Sequence, residues 1–196
     1  FLLLFTVDYT SIESTTFKYE IQKKESTINF SIKHLIFLTA RGYYNDFFTT
    51  IIWNDKDLSK CSFEGKVDVR SIETGAKKYN ELLQTDEFLN SKRYPYINFN
   101  STTIKRVSEN RYEISGLLTV KGLSQKITEP LIITRNSMSK NDELVLKTTF
   151  NIDRSIYKIA PNYTWPLLDN IVKININLVL KKQEKMQVMY LKTQIH

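Results

Sequence analysis

The sequence feature that most constrains the fold is a hydrophobic period of two residues, which recurs along almost the whole chain. It is clearest in NIVKININLVLKK, residues 170–182, where branched apolar side chains alternate with lysine and asparagine. Successive side chains of a β-strand point to opposite faces, so the alternation predicts a strand with one buried face. Stretches of the same kind, the first only weakly alternating, predict strands at residues 17–22, 26–39, 44–53, 62–72, 94–107, 112–122, 124–136 and 143–154.

The hydrophobic period changes once, in TGAKKYNELLQTDEFLN, residues 74–90. Tyr79, Leu82 and Leu83 fit the spacing of an amphipathic helix, which predicts a short helical insertion around residues 75–90. Elsewhere about eight strands follow one another through mostly short turns, and short turns join antiparallel neighbours. Such strands, each with one apolar face, fit a closed barrel or a sandwich, and an eight-stranded barrel has room for one small apolar ligand.

Composition removes several classes of protein. The 196 residues suit one domain, and 41% of them are hydrophobic, which is enough for a core. The net charge of +7 is spread along the chain, so a solvated surface is favoured over a nucleic-acid site. Cys61 is the single cysteine, which excludes an intrachain disulfide and a cysteine zinc site. The seven-residue run FLLLFTV is far shorter than the roughly 20 residues of a membrane span, and we interpret it as the end of a signal peptide.

His34 interrupts the apolar face of the strand predicted at residues 26–39. A metal site is disfavoured because three or four ligands are needed and no second histidine lies two or four positions away. A serine-histidine-aspartate site is disfavoured because the chain has no G-x-S-x-G turn. Two interpretations stay open: a buried imidazole whose ring is hydrogen-bonded within the protein, or a group that lines the barrel interior and meets a ligand.

Other candidate residues also have two interpretations. The aromatic side chains of the predicted inward faces either line a ligand cavity or fill the core, as in every barrel. Arg154 either pairs with a carboxylate at the barrel rim or anchors a ligand headgroup. The turn-rich stretch IAPNYTWPLLDN, residues 159–170, predicts an ordered loop that closes one barrel end and could act as a lid.

Several motifs, taken in order, resemble the YceI-like family of lipocalin-like, polyisoprenoid-binding barrels. They are STINFSIKHLIFLTARGYYNDF, VDVRSIETG, ELLQTDEFLNSKRYPYINFNST, GLLTVKGLSQKI and FNIDRSIYKI, and the resemblance as a whole covers about residues 17–181. The chain departs from the family pattern at Lys158, where a glycine is usual, and in KKYNE, where an Arg-Asp pair is common. These departures affect the expected shape of the barrel mouth.

The resemblance implies an all-β, eight-stranded antiparallel barrel at residues 17–182, with an N-terminal extension at 1–16 and a C-terminal tail at 183–196. It implies a non-enzymatic protein, periplasmic or secreted, that needs no cofactor or metal and binds a long apolar lipid such as an isoprenoid or isoprenoid quinone. Homodimers occur among such proteins, whereas nucleic-acid binding and stable membrane insertion are not expected. The alternative is an enzyme for an apolar substrate with His34 as acid or base. The predicted ligand-binding residues are Phe30, Ile32, His34, Phe47, Phe63, Phe99, Phe150, Arg154 and Trp165.

Overall fold

The computed structural model describes residues 16–136 and 142–183. Most of the predicted N-terminal extension, residues 137–141 and nearly all of the predicted C-terminal tail lie outside these residues. The described elements are β1 Phe17–Ile21, β2 Thr27–His34, β3 Leu38–Tyr44, β4 Phe47–Trp53, β5 Ser62–Asp68, β6 Ile72–Glu73, α1 Lys77–Leu83, β7 Tyr96–Ser108, β8 Arg111–Val120, β9 Leu123–Asn136, β10 Glu143–Asp153 and β11 Leu168–Lys182.

The predicted eight-stranded antiparallel barrel is confirmed. Hydrogen-bonded neighbours follow the order β1, β4, β5, β7, β8, β9, β10, β11, and β11 pairs again with β1, which closes the circuit. The three remaining strands extend this wall: β2 continues along β11 after a single 3-10 turn, β3 pairs with β2, and β6 pairs with β3. Every pairing is antiparallel, as short connections require.

The strand predicted at residues 26–39 is wrong in its second half. β2 ends at His34, the chain reverses at residues 35–37, and β3 begins at Leu38, which pairs with His34. Leu35 and Ile36 have φ angles of 47° and 66°, the left-handed region that hairpin turns use. The apolar alternation continues through this turn although its side chains are exposed, so hydrophobicity does not indicate burial there.

Two other predicted strands are shorter than expected. The strand at 44–53 begins only at Phe47, and the one at 62–72 is interrupted by a 3-10 turn at Val69–Ser71. The side chain of Asp68 causes this interruption, since its carboxylate accepts a hydrogen bond from the Arg70 backbone N–H at 2.9 Å. The helical insertion is confirmed as α1, which is seven residues long. Neither α1 nor any other helix in the described ranges has the length and apolar character to cross a membrane.

Two clusters of buried side chains occupy the barrel. The first cluster fills one end, where the Trp53 ring meets the edges of Phe63 and Tyr112 at centroid distances of 6.1 and 5.2 Å. The second cluster lies toward the end that carries α1 and the loop after β10, and it includes Val69, Leu118 and Tyr157. Side chains of the barrel's middle section, Phe99 among them, touch one or both clusters but are only partly buried themselves.

Candidate ligand-binding lumen

The middle of the barrel contains inward-facing apolar side chains that remain accessible to solvent. Ile174 on β11 shows the arrangement: it lies between Phe150 on β10 and Phe30 on β2, in the same alternating row as the buried Leu178 and Leu180. Six apolar side chains of this middle section that share this orientation and are only half-buried are called the lumen residues here. They are Ile28, Phe30, Phe99, Phe150, Ile174 and Ile176. The neighbouring side chains of the barrel therefore cover these residues only in part.

The barrel wall is parted beside the lumen residues. β9 pairs with β10 only over residues 132–136, opposite residues 143–147. Residues 123–131 of β9 therefore have no paired partner on β10. Pro130 is the local cause. Its carbonyl accepts a hydrogen bond from the Thr148 hydroxyl on β10 at 2.6 Å. In a β-strand the N–H and the C=O of one residue point toward the same neighbouring strand. The Pro130 carbonyl points to β10, so the N–H that proline lacks would also have pointed to β10, and one hydrogen bond between the two strands is lost.

Glu129, beside this opening, faces inward and was missed by the sequence analysis. It pairs with the buried Ile114 on β8 and shares its face with Ile127 and Leu131. Burial raises the pKa of its carboxyl above the ordinary value of 4.5. The signal that could have found it is the alternation in KITEPLI, which places Glu129 in an apolar row.

Replacing Glu129 with glutamine is expected to make the protein more stable at neutral pH. Because the folded protein binds the Glu129 proton more tightly than the unfolded chain, its stability falls as pH rises from about 4.5 through the raised pKa. Glu129→Gln removes this pH dependence, so the difference in unfolding free energy between the variant and wild type grows between pH 4 and pH 7. The difference is expected to stay below about 1 kcal/mol because the site is partly solvated. Urea unfolding across this pH range measures the difference. Glu113→Gln, an exposed neighbour on β8, is the control, and an equal pH response in both variants would contradict the assignment.

Two of the predicted aromatic residues lie against glycines of the neighbouring strand. The Phe30 ring covers Gly42 on β3, and the Phe99 ring covers Gly116 on β8, each closer than a real Cβ atom would permit. The tips of the two rings therefore occupy the space that a side chain at either glycine would need. Phe150 is a lumen residue as well, and Ile32 is half-buried on the same face of β2 as Phe30.

Phe47 and Phe63 occupy a different part of the barrel from these residues. Both are buried in the first cluster, 3% and 5% exposed, where they contribute to the filled end. Their burial leaves little of either ring exposed to a ligand. Contact between these predicted residues and a ligand stays a prediction.

His34 lies at the end of β2, half-buried, where it pairs with Leu168 on β11 and Leu38 on β3. Within the described ranges no hydrogen bond joins its ring to another group, and no group of three or more potential metal ligands occurs. Among the polar side chains that face the interior, His34, Glu129 and Thr148 belong to three separate strands. Whether His34 contacts a ligand stays a prediction.

Arg154 is only 2% exposed, and its described partners are main-chain carbonyls. The guanidinium donates to the oxygens of Ile159 and Ala160 at 2.7 Å each and of Asp169 at 2.8 Å, and it also contacts those of Tyr163 and Leu168. Burial lowers the pKa of this group. Arg154 thus organises the loop at residues 155–167, and a direct role in binding a ligand headgroup stays a prediction.

Trp165 lies in this loop and is 55% exposed. The loop is anchored from two sides: Ala160 donates its N–H to the Glu87 carbonyl at 2.8 Å, and the Lys121 ammonium donates to the carbonyls of Glu87 and Lys158. Its first half therefore packs over the barrel end that carries the second cluster. Its second half, with Trp165, extends along the rim beside β2.

The fold agrees with what comparison with known proteins finds. The model of the YceI-like domain matches residues 19–180, which is most of the chain. The chain belongs to the YceI-like family. A UPF0312 protein of Pectobacterium atrosepticum is 28% identical over 127 residues, 65% of this chain and 64% of that protein's length. Protein YceI of Salmonella newport is 27% identical over 141 residues, 72% of this chain and 70% of that protein.

Solved structures resemble this YceI-like barrel over nearly their whole length. BcnA of Burkholderia cenocepacia has a TM-score of 0.75 at 22% identity and matches 81% of this chain and 98% of its own. A YceI protein of Campylobacter jejuni has a TM-score of 0.70 at 22% identity, over 79% of this chain and 91% of its own. A polyisoprenoid binding domain from Saccharophagus degradans has a TM-score of 0.66 at 13% identity, over 84% and 98%. At these identities the likeness establishes the shared fold.

Proposed function

We propose that this protein is a non-enzymatic binding protein that holds one long apolar lipid, an isoprenoid or isoprenoid quinone, in the barrel lumen. The observation that carries the proposal is the row of inward-facing, half-buried apolar side chains beside the parting of β9 and β10. A flexible hydrocarbon chain gains affinity by burying apolar surface, and few polar groups are needed to orient one end. Glu129 and Thr148, at the opening, are placed to meet such an end.

The choice of an isoprenoid rests on the resemblance. The Saccharophagus degradans neighbour is described as a polyisoprenoid binding domain, and this chain shares its fold. A methyl-branched chain also suits a lumen lined by isoleucine and phenylalanine, because branched and ring-shaped groups leave an irregular wall. Export to the periplasm or beyond the cell, and assembly into a homodimer, stay predictions of the resemblance.

The proposal is tested by identifying any lipid that copurifies with the protein and then measuring the binding of added lipids. Purified protein is extracted with organic solvent and the extract is examined by mass spectrometry. The delipidated protein is then titrated with a polyisoprenol, an isoprenoid quinone and an unbranched alcohol of equal length. We expect saturable 1:1 binding with preference for an isoprenoid. The absence of both a copurifying lipid and saturable binding would contradict the proposal.

A further inference from the structure

One corner of the barrel exposes large apolar side chains that the fold does not bury. Phe37, at the tip of the turn between β2 and β3, is 90% exposed, and its three neighbours in the turn are each about half-exposed. Two residues of the loop before β11 continue this surface. The set, called the apolar rim here, consists of Leu35, Ile36, Phe37, Leu38, Trp165 and Leu167.

The two segments of the apolar rim lie side by side. His34 pairs with Leu168, and the Leu35 N–H donates to the Leu167 carbonyl at 3.3 Å. The Arg154 guanidinium contacts the carbonyls of Tyr163 and Leu168, which holds the second segment against the barrel. The rim is therefore one continuous surface with a fixed support.

Folding alone does not account for the residues in this turn. Leu35 and Ile36 both have positive φ angles, where asparagine and glycine are favoured and where the branched Ile36 is strained. Their side chains offset little of that strain by burial, because both are about half-exposed. An exposed apolar surface of this kind marks contact with another apolar phase or molecule.

Cationic side chains surround the apolar rim. Lys33 on β2, Arg41 on β3 and Lys173 on β11 alternate with inward residues and are exposed on the outer face of the wall. None of the three forms an ion pair within the described ranges. The nearby carboxylates of Asp153 and Asp169 accept hydrogen bonds from backbone N–H groups of Ser155 and Ile171.

A third acidic group, Glu73, lies on β6 beside Tyr43 of β3, and its carboxylate accepts the Gly75 N–H. These carboxylates keep their charge but accept backbone hydrogen bonds, and within the described ranges none of them pairs with the three cations. With a net charge of +7 for the chain, an external partner of this surface is expected to be anionic.

We propose that the apolar rim docks the protein on a bilayer surface that contains anionic lipid. Phe37 and its neighbours would enter the boundary between headgroups and acyl chains, and Trp165 would lie at headgroup depth, where tryptophan is enriched. Lys33, Arg41 and Lys173 would then meet anionic headgroups and add an electrostatic attraction to the apolar contact. The binding is peripheral and reversible, and it brings one end of the barrel to the phase in which long lipids dissolve.

Vesicle flotation with the full chain tests this proposal. Wild-type protein is expected to float with vesicles of 70% phosphatidylcholine and 30% phosphatidylglycerol, at least tenfold more weakly with phosphatidylcholine alone, and less at high salt because surface charges are screened. Phe37→Asp is expected to lose at least tenfold in partitioning. Val107→Asp introduces the same charge at a 68% exposed apolar position at the far end of β7 and is expected to bind like wild type.

A spectroscopic measurement identifies the docking surface independently. The chain has two tryptophans, and Trp53 is 2% exposed in the first cluster, so quenching by lipids brominated in the acyl chain reports on Trp165. We expect such quenching in wild type and in Val107→Asp, and its loss in Phe37→Asp. Equal flotation of Phe37→Asp and wild type would overturn the proposal. The proposal would also be overturned if wild type did not bind vesicles and Phe37→Asp changed the oligomeric state of the protein. That result would assign the apolar rim to self-association.

Discussion

Replacing Ile174 with tryptophan is expected to lower the affinity for a long apolar ligand at least tenfold, which corresponds to about 1.4 kcal/mol. Ile174 lies at the centre of the inward row, between Phe150 and Phe30, and all three are only partly buried. The added indole would occupy the space that a lipid chain needs. Titration of the delipidated protein with a fluorescent isoprenoid measures the effect.

The same variant distinguishes an open lumen from a packed core. In a packed core the larger side chain would cost about 1–3 kcal/mol of stability. In an open lumen the free energy of unfolding is expected to change by less than about 1 kcal/mol, because the ring enters free space. Lys181→Trp adds the same ring to the exposed outer face of the same strand and should leave lipid affinity unchanged. Unchanged affinity in Ile174→Trp would contradict the lumen as the binding site.

Replacing Arg154 with methionine is expected to destabilise the protein by about 3 kcal/mol or more. The guanidinium donates to carbonyls of the loop at residues 155–167 and of the start of β11, in a site from which water is largely excluded. Methionine fills similar space but cannot donate, so several buried carbonyls lose their partner. Urea unfolding measures the loss, and limited proteolysis is expected to locate it in this loop.

Two further variants show whether the hydrogen bonds of Arg154 are responsible. Arg154→Lys keeps the charge but lacks the planar fork of donors, so its stability should lie between those of wild type and Arg154→Met. Arg111→Met removes an exposed arginine from β8 and should change stability by less than about 0.5 kcal/mol. If Arg154→Met unfolds within 1 kcal/mol of wild type, the carbonyl contacts do not hold the loop.

The barrel was predictable from the sequence because most strands alternate cleanly and the turns between them are polar. The hairpin at residues 35–37 was not predictable by the same rule, since apolar side chains continue the strand pattern through a turn that they leave exposed. Hydrophobic periodicity records which residues are apolar, and it is read as burial only because the two usually coincide. At the apolar rim they do not.

The site was predictable in part. The inward positions of Phe30, Phe99 and Phe150 follow from strand parity, but whether such residues fill a core or line free space depends on the width of the barrel, which no local pattern encodes. The partners of Arg154 come from a loop that folds back on it, so the sequence alone could not give them. Glu129 and Pro130 could have been found, because a charged residue in an apolar row and a proline in a strand both mark an interrupted wall.

The parting of β9 and β10 also affects how the protein avoids aggregation. A fully closed barrel has no strand edges, but here β9 and β10 each have an unpaired stretch where they separate. An unpaired strand edge is a template to which a foreign strand can add. Pro130 removes one of the donors that such a strand would use, and the Thr148 hydroxyl occupies its carbonyl. Glu129 places a carboxylate where an added strand would have to bury it. The residues that part the wall thus also protect it against amyloid-like strand addition.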